Sequence, residues 1–591
     1  MNQHAVRHML LRHTCIPISP LADVRTLYQK KINQKSLYAS SNAYAKIEIV
    51  LGEEEIKKGN MNKLAVYLNQ HIDGVVYSAP NILEKYSRDR SILHYKPRLV
   101  ALPANTMDVR RLIKFASQLA SKGMSMPVTV RGAGYSKTGA AIGSGIILST
   151  ERLNHIQEID MRQRLIRVQA GVTLSEIRTA LDATGLELPV FGDPHETIGG
   201  LVSTCAPASA NTKPSTILDF VEEMEVVLAD GSLAHVRQTG MGKASRLAKE
   251  KNFEGKIYED LTDWLTKNAA LVDKIKEPTE SKAWYPGLKD TVSKRGVNMA
   301  AIFCGAEGSL GVVTELILRV EPIFESPNYI AIPCANPNEF AKAVELLEKE
   351  KFTDILFYDT EIFAEIEKTG KSLKFFRKPS KDGYLLVANA KDDSRVRRRS
   401  KIRNLGKKLP SSMRLILADD DNLGEFAAIH ENLIAYLSEN NLEYRVPVID
   451  QVYIPAENRA EFLKAVDELA DEFSMTLPVY GSIDYNLYTV RPKLRPDNVE
   501  SYKNMIGFVR SYIRLIEDMG GFVCGGAPEG RFLAPFLKAS VNPAIFELNR
   551  KIKEIMDPDG VFCDGIKTDA DARLIFKHFR TEYGEDLQSS Y

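Results

Sequence analysis

Residues 128–140 read VTVRGAGYSKTGA. A β-branched strand runs into a loop holding Gly132, Gly134 and Gly139, with Ser136 and Thr138 between them. Glycine tolerates positive φ and lets backbone approach a ligand closely, so successive N–H groups can form an anion-binding nest. The two hydroxyls add donors that suit phosphate oxygens. The spacing is not that of the Rossmann dinucleotide fingerprint, because Lys137 occupies the last glycine position and the loop sits deep in the chain. Taken alone, the loop also reads as a glycine-rich turn with no ligand.

Around it the pattern alternates between strands and helices. Leu99–Leu102 and Pro127–Val130 read as strands, and Thr106–Lys122 as an amphipathic helix opened by Asn105 or Thr106. Val109, Leu112, Ile113, Phe115 and Ala116 recur there at helical spacing behind a capping residue. Ile146–Leu148 and Leu165–Val168 follow as strands, Thr173–Thr184 as a helix, and Glu223–Leu228 as a strand entering the Asp230-Gly231 turn. Three further glycine-bearing segments accompany the first loop. Residues 170–173 (AGVT) precede a helix, residues 196–202 (ETIGGLV) carry a glycine pair, and residues 305–314 (GAEGSLGVVT) lead into a strand.

Beyond Glu321-Pro322 the texture changes. Tyr329–Pro333, Asp354–Tyr358, Tyr384–Ala390 and Met413–Ala418 read as strands, with helices Pro337–Lys351 and Ser394–Lys408 between them. That alternation predicts a second α+β unit with helices on one face. Residues 499–557 read as largely helical.

In this order and spacing the four glycine segments resemble the FAD-binding domain of the vanillyl-alcohol oxidase / p-cresol methylhydroxylase type, over residues 97–322. The resemblance implies two α+β subdomains burying an extended FAD. It assigns Arg131, Gly132, Ala133, Gly134, Tyr135, Ser136, Thr138 and Gly139 to the phosphates. Thr197, Ile198, Gly199 and Gly200 fall to the flavin side, and Gly311, Val312 and Val313 to the adenine or ribose. Asp219 is kept within an otherwise altered stretch, residues 205–221. Many relatives carry a flavin-bonded His where this chain has Tyr135, which implies non-covalent FAD.

The ending, IKEIMDPDGV over residues 552–561 and DGIK over 564–567, resembles the D-lactate dehydrogenase / glycolate oxidase branch. That branch oxidises D-2-hydroxy acids by hydride transfer to flavin N5. Its metal motif, Gly-His then Asp-Gly-Asn-Leu-His, stands here as GSIDYNLY over residues 481–488, so Ser482 and Tyr488 replace both imidazoles. Its Glu-His-Gly segment stands here as Gly526-Ala527-Pro528. Two His and a carboxylate cannot hold a divalent ion from these residues, so no metal is expected. The substrate arginine of that branch falls at His430. His430, Tyr485 and Tyr488 are therefore the catalytic candidates, with Asn486 and Arg531 as substrate-binding candidates. The competing reading makes each of them a packing or solvent-facing residue.

The expected architecture is α+β. A two-subdomain flavin-binding domain (61–322) is followed by a ferredoxin-like α+β substrate or cap domain (323–498) and a helical segment (499–567) packing on the flavin domain. A tail spans 568–591. Residues 1–47 carry seven Lys or Arg and one acid, Asp23. Residues 1–60 therefore read as a transit peptide, an upstream extension before a start at Met61, or a poorly ordered extension.

Lys plus Arg total 78 against 77 Asp plus Glu, which gives no reason to expect a nucleic-acid partner. The six cysteines form no CxxC pair, which points to a reducing compartment. No apolar run approaches the ~18 residues of a bilayer span. The expected partners are a small hydroxy substrate and an electron acceptor of unstated kind, with a homodimer as one arrangement. Cytoplasmic placement is expected, with peripheral association at an inner membrane or mitochondrial import as alternatives. The basic run over residues 395–403 reads as a solvated helix face or a dock for an acidic carrier or anionic lipid.

Overall fold

The computed structural model describes residues 61–210, 213–275, 285–323, 329–362, 383–392, 394–418, 426, 449–492, 499–526, 528–567, 575 and 577–580. The expectation about residues 1–60 lies outside the described residues, as does most of the 568–591 tail.

The start of the first glycine segment forms strand Val128–Arg131, at the edge of a four-stranded sheet beside Ile146–Ser149, Leu99–Leu102 and Val75–Tyr77. The first three pair in parallel and Val75–Tyr77 antiparallel. Leu99–Leu102 and Ile146–Ser149 are apolar but for Ser149 and buried throughout, as the inner strands of a covered parallel sheet must be. Helix Thr106–Ala120 covers this sheet with Val109, Leu112, Ile113, Phe115, Ala116 and Leu119. Asn105 caps it by accepting from Asp108 N at 3.0 Å. Asp108 is itself fully buried, and its carboxylate accepts from Asp73 N, Gly74 N and Ala104 N at 2.9, 2.7 and 2.9 Å. One side chain thus ties the turn between helix Met61–Asn69 and strand Val75–Tyr77 to the start of helix Thr106–Ala120.

A second sheet is antiparallel and seven-stranded, in the order Val292–Ser293, Gly296–Asn298, Leu233–Thr239, Val221–Val227, Val312–Arg319, Leu165–Gln169, Ile156–Asp160. Helix Leu174–Asp182 leaves it through a Thr173/Glu176 capping box. The third sheet is also antiparallel and seven-stranded: Ile416–Leu417, Tyr329–Cys334, Tyr384–Asn389, Thr353–Asp359, Val479–Ser482, Leu487–Val490, Val452–Tyr453. A ferredoxin-like unit carries four strands. Here the hairpin Val479–Val490 pairs onto the free edge of Thr353–Asp359 and widens the sheet toward the first domain. Helix Arg395–Lys408 exposes most of its basic side chains, whereas Arg398 is buried and donates to Asp392 O at 2.7 Å.

The helices Val499–Asp518, Gly530–Ser540 and Pro543–Met556 realise the predicted helical ending. The chain then returns to its beginning. Val128 N donates to Val561 O at 2.8 Å and Cys563 N to Val128 O at 3.0 Å. Buried Lys553 donates to Ser309 O at 2.6 Å and Phe562 O at 3.1 Å, and pairs with Asp557 at 2.5 Å. The first glycine loop, the 305–311 turn and the C-terminal segment are therefore fastened to one another.

Asp108→Ala is expected to leave three buried N–H groups without an acceptor, at a cost of about 3 kcal/mol. The measurement is the urea-unfolding midpoint; an unchanged midpoint would show that the joint does not depend on this carboxylate.

Candidate functional site

A cavity of about 890 Å³ opens between the first two sheets and the third, near the upper end of the roughly 300–1,000 Å³ typical of ligand sites. Gly132, Ala133, Gly134, Tyr135, Ser136 and Thr138 line it from the first loop, Thr197, Gly199 and Gly200 from the second, and Gly311 and Val313 from the third. The fold thus brings the three segments to one wall, although nearly 180 residues separate the first from the last.

Their approach is too close for side chains. A Cβ on Gly132 would lie 2.1 Å from Thr197 Oγ1, and one on Gly199 would lie 2.8 Å from Ala170 O. Gly134 and Gly139 have φ of +77° and +80°. Thr197 caps helix Ile198–Ser203 by accepting from Gly200 N at 3.2 Å. Ser136 Oγ accepts from Ala140 N at 2.9 Å and Thr138 N at 3.3 Å, which curls the loop, and lies 3.5 Å from Thr138 Oγ1. Bare backbone, two hydroxyls and an apolar strand edge at Val313 suit a dinucleotide with a pyrophosphate. On this geometry the residues present fit FAD.

Several candidates stand behind the wall. Arg131 is half-buried and donates to Arg88 O at 2.8 Å and Ala141 O at 3.2 Å, bracing the loop from beneath. Gly139 turns the loop and its carbonyl accepts from Arg531 at 3.1 Å. Ile198 and Val312 point into the core, because a strand's alternation sends Val312 opposite to Val313. Asp219 is exposed and accepts from Thr216 N at 3.3 Å, serving its own short 3₁₀ turn.

The substrate-side candidates divide in the same way. Tyr485 lines the cavity, edge-on to Phe191, and its hydroxyl donates to Ala208 O while accepting from Ser215 N at 3.4 Å. Burial pushes this phenol well above its ordinary value. Tyr488 is fully buried among Phe357 and Phe462, and its hydroxyl accepts from Arg459 at 2.9 Å. It is a core residue and not a wall of the cavity. Asn486 sits at φ +53° in the hairpin turn and accepts from Arg459 at 3.3 Å. Arg531, 3 % exposed, bonds Gly139 O, Thr129 Oγ1 and Asp564 Oδ1 at 3.1, 3.3 and 2.8 Å. Its guanidinium is spent as a strut between loop and C-terminus. His430 lies outside the described residues.

Sequence reading missed the polar groups that do face the cavity. Lys137, noted only as an interruption of a motif, reaches the third domain and pairs with buried Asp450 at 2.6 Å. Burial is the largest single influence and works against its charge, but Asp450 and Tyr480 together hold the ammonium above its usual range. Asp450 also accepts from Thr489 at 3.2 Å. Arg491 lines the cavity from the end of the last hairpin and donates to Tyr480 at 3.1 Å. Glu196 and Glu307 line it from the flavin-domain side. Lys137, Glu196 and Glu307 lie inside the glycine segments, but no local pattern tells which way their side chains face; only the folded chain brings them together with Asp450 and Arg491. Among the described residues, no group of three or more His, Cys, Asp or Glu is placed to hold a metal ion, and no helix is long and apolar enough to cross a membrane.

Residues 97–237 match the family described as FAD binding domain, and residues 324–565 match the C-terminal domain of FAD linked oxidases. The chain is 24% identical to a D-2-hydroxyglutarate dehydrogenase of Pantoea ananatis over 496 residues, 80% of this chain and 48% of that protein. It therefore spans about half the length of that relative. It is 24% identical to a D-lactate dehydrogenase of Archaeoglobus fulgidus over 471 residues, covering 79% of this chain and 90% of the other. In fold it is similar to the 4-ethylphenol oxidase of Gulosibacter chungangensis, with a TM-score of 0.63, 15% identity, and coverage of 87% and 98%.

Gly132→Ala is expected to displace Thr197 and weaken FAD binding at least tenfold. Fluorescence titration of the protein with FAD reads this, and wild-type affinity in the variant would separate the close approach from the cofactor.

Proposed function

We infer that this chain, built of an FAD binding domain followed by the C-terminal domain of FAD linked oxidases, is an FAD-dependent oxidoreductase acting on the CH–OH group of a D-2-hydroxy acid such as D-lactate or glycolate, or of a related alcohol. The observation that carries the reading is one cavity with three glycine segments on one wall, Asp450, Arg491 and Tyr485 on the other, and Lys137 of the first loop reaching across to Asp450. When bound, FAD supplies a two-electron acceptor for the substrate's hydride.

The chain's own residues bind and orient. Ser136, Thr138 and the backbone of 132–139 hold the phosphates. FAD is held non-covalently, since Tyr135, whose ring stacks at 3.5 Å on the Arg90 guanidinium, stands where the resemblance puts a bonding His. Arg491 receives the substrate carboxylate. Tyr485, kept protonated by burial, orients the substrate and does not take its proton. Asp450, fixed by Lys137 and Thr489, accepts the hydroxyl proton as the hydride leaves. No metal takes part, because Ser482 and Tyr488 replace the two imidazoles, and the Tyr488 phenol is committed to Arg459 in the core.

A second reading is favoured by the same replacements: a flavin-binding subunit without turnover of its own, in an electron-transfer complex. Anaerobic addition of D-lactate, glycolate and D-2-hydroxyglutarate to the holoprotein separates the two. Bleaching of the flavin band by one of them is expected, and Asp450→Asn should slow it by about a hundredfold or more. A flavin that stays oxidised with all three would sink the hydroxy-acid assignment.

A further inference from the structure

Behind the first glycine loop lies a buried cluster that the proposed reaction does not use. Lys567 Nζ donates to Glu529 Oε2 at 2.8 Å and stands 3.5 Å from Glu307 Oε2. Glu307 Oε2 also accepts from Gly530 N at 3.1 Å. All three side chains are at most 1% exposed. Oε1 of Glu307 and Oε1 of Glu529 find no hydrogen-bond partner among the described residues.

Two carboxylates share one ammonium, so full ionisation would leave a net negative charge in a site closed to solvent. Burying an uncompensated charge costs several kcal/mol, and such a site lowers the cost by binding a proton. Burial pushes the Glu307 carboxyl up to about 7 against the pull of Lys567, and Glu529 adds to the rise. The other groups packed here do not compete near neutrality. Cys563, whose Sγ contacts Glu307 O at 3.7 Å, is raised by burial to about 11. Burial also raises Cys524 and Tyr285, the latter 5.7 Å beneath Lys567. Lys553 and Asp557 neutralise each other beyond Ser309.

The cluster touches the ligand wall at two places. Glu307 itself lines the cavity. Gly530, whose N–H holds Glu307, packs so tightly on the loop that a Cβ there would lie 2.2 Å from Thr138 O, and Phe532 N donates to the same carbonyl at 3.0 Å. The proton-binding site thus sits one residue layer from the hydroxyls assigned to the pyrophosphate.

We propose that Glu307 meets FAD as a neutral carboxylic acid, so that FAD binding draws a proton from solution into the Glu307–Glu529–Lys567 cluster. The proposal rests on the assignment of FAD to this cavity. A dianionic pyrophosphate nearby raises the cost of a second carboxylate charge and so favours the protonated carboxyl. Linkage sets the sign. Below the carboxyl's titration the proton is already present and affinity is flat; above it, each pH unit weakens FAD binding by up to about tenfold.

The test is calorimetric titration of the full-length apoprotein with FAD at pH 7.5, in phosphate and in Tris, whose differing ionisation heats report protons exchanged. Wild type is expected to take up a large fraction of one proton per FAD, and Glu307→Gln close to none while still binding FAD. Glu529→Gln, which removes the neighbouring anion, should move the uptake to lower pH and serves if Glu307→Gln does not fold. FAD binding without proton uptake, or uptake unchanged in these variants, would overturn the proposal alone. A folded protein that binds no FAD would overturn the cofactor assignment with it.

Discussion

The structure depends on a distance too short for a Cβ. Gly132 faces Thr197 Oγ1 with no room for a methyl group, and Thr197 is at the same time the cap that starts helix Ile198–Ser203. Two loops from different parts of the chain therefore share one surface of bare backbone, and a ligand can lie against N–H groups instead of side chains. Holding irregular backbone in this state requires fastening from outside. Arg131 braces the loop from below, Arg531 holds its far end to Asp564, and Lys553 ties the third glycine turn to the C-terminal segment. The last helices act as the clamp that makes the first loop a site.

The third sheet completes the cavity. Its extra hairpin, Val479–Val490, brings Tyr480, Tyr485, Thr489 and Arg491 opposite the glycine wall, and the Lys137–Asp450 pair spans the gap. A buried ion pair across two domains contributes little net stability, because desolvation offsets most of the attraction. Its consequence is positional: Lys137 fixes a carboxylate beside the ligand loop. The wall opposite the glycines is oxygen-rich and cation-bearing, and the proposed chemistry follows from those groups.

Residues 128–140 made the glycine wall of the cavity legible before folding, because glycine positions with positive φ have few substitutes and their spacing survives in the sequence. Helix Thr106–Ala120 was legible to within two residues for a similar reason: cap and periodicity are local. Tyr488, Arg531 and Asn486 were drawn toward the site by their motif, but whether a side chain faces a cavity or the core is decided by partners far away in sequence, here Arg459, Asp564 and Phe357. Glu307 and Lys567 lie inside segments that the sequence marks, 305–314 and 564–567, but nothing local joins them to each other or to Glu529. They meet over separations of up to 260 residues, and their shared proton exists only in the folded chain.

The account stands or falls on one flavin in one cavity. The most direct measurement is the flavin content of the purified full-length chain, reconstituted with FAD, gel-filtered and then denatured. One FAD per chain is expected, released intact into the supernatant. A chain with unaltered circular dichroism that retains no flavin would contradict it, and flavin that stays bound to the denatured polypeptide would contradict its non-covalent part.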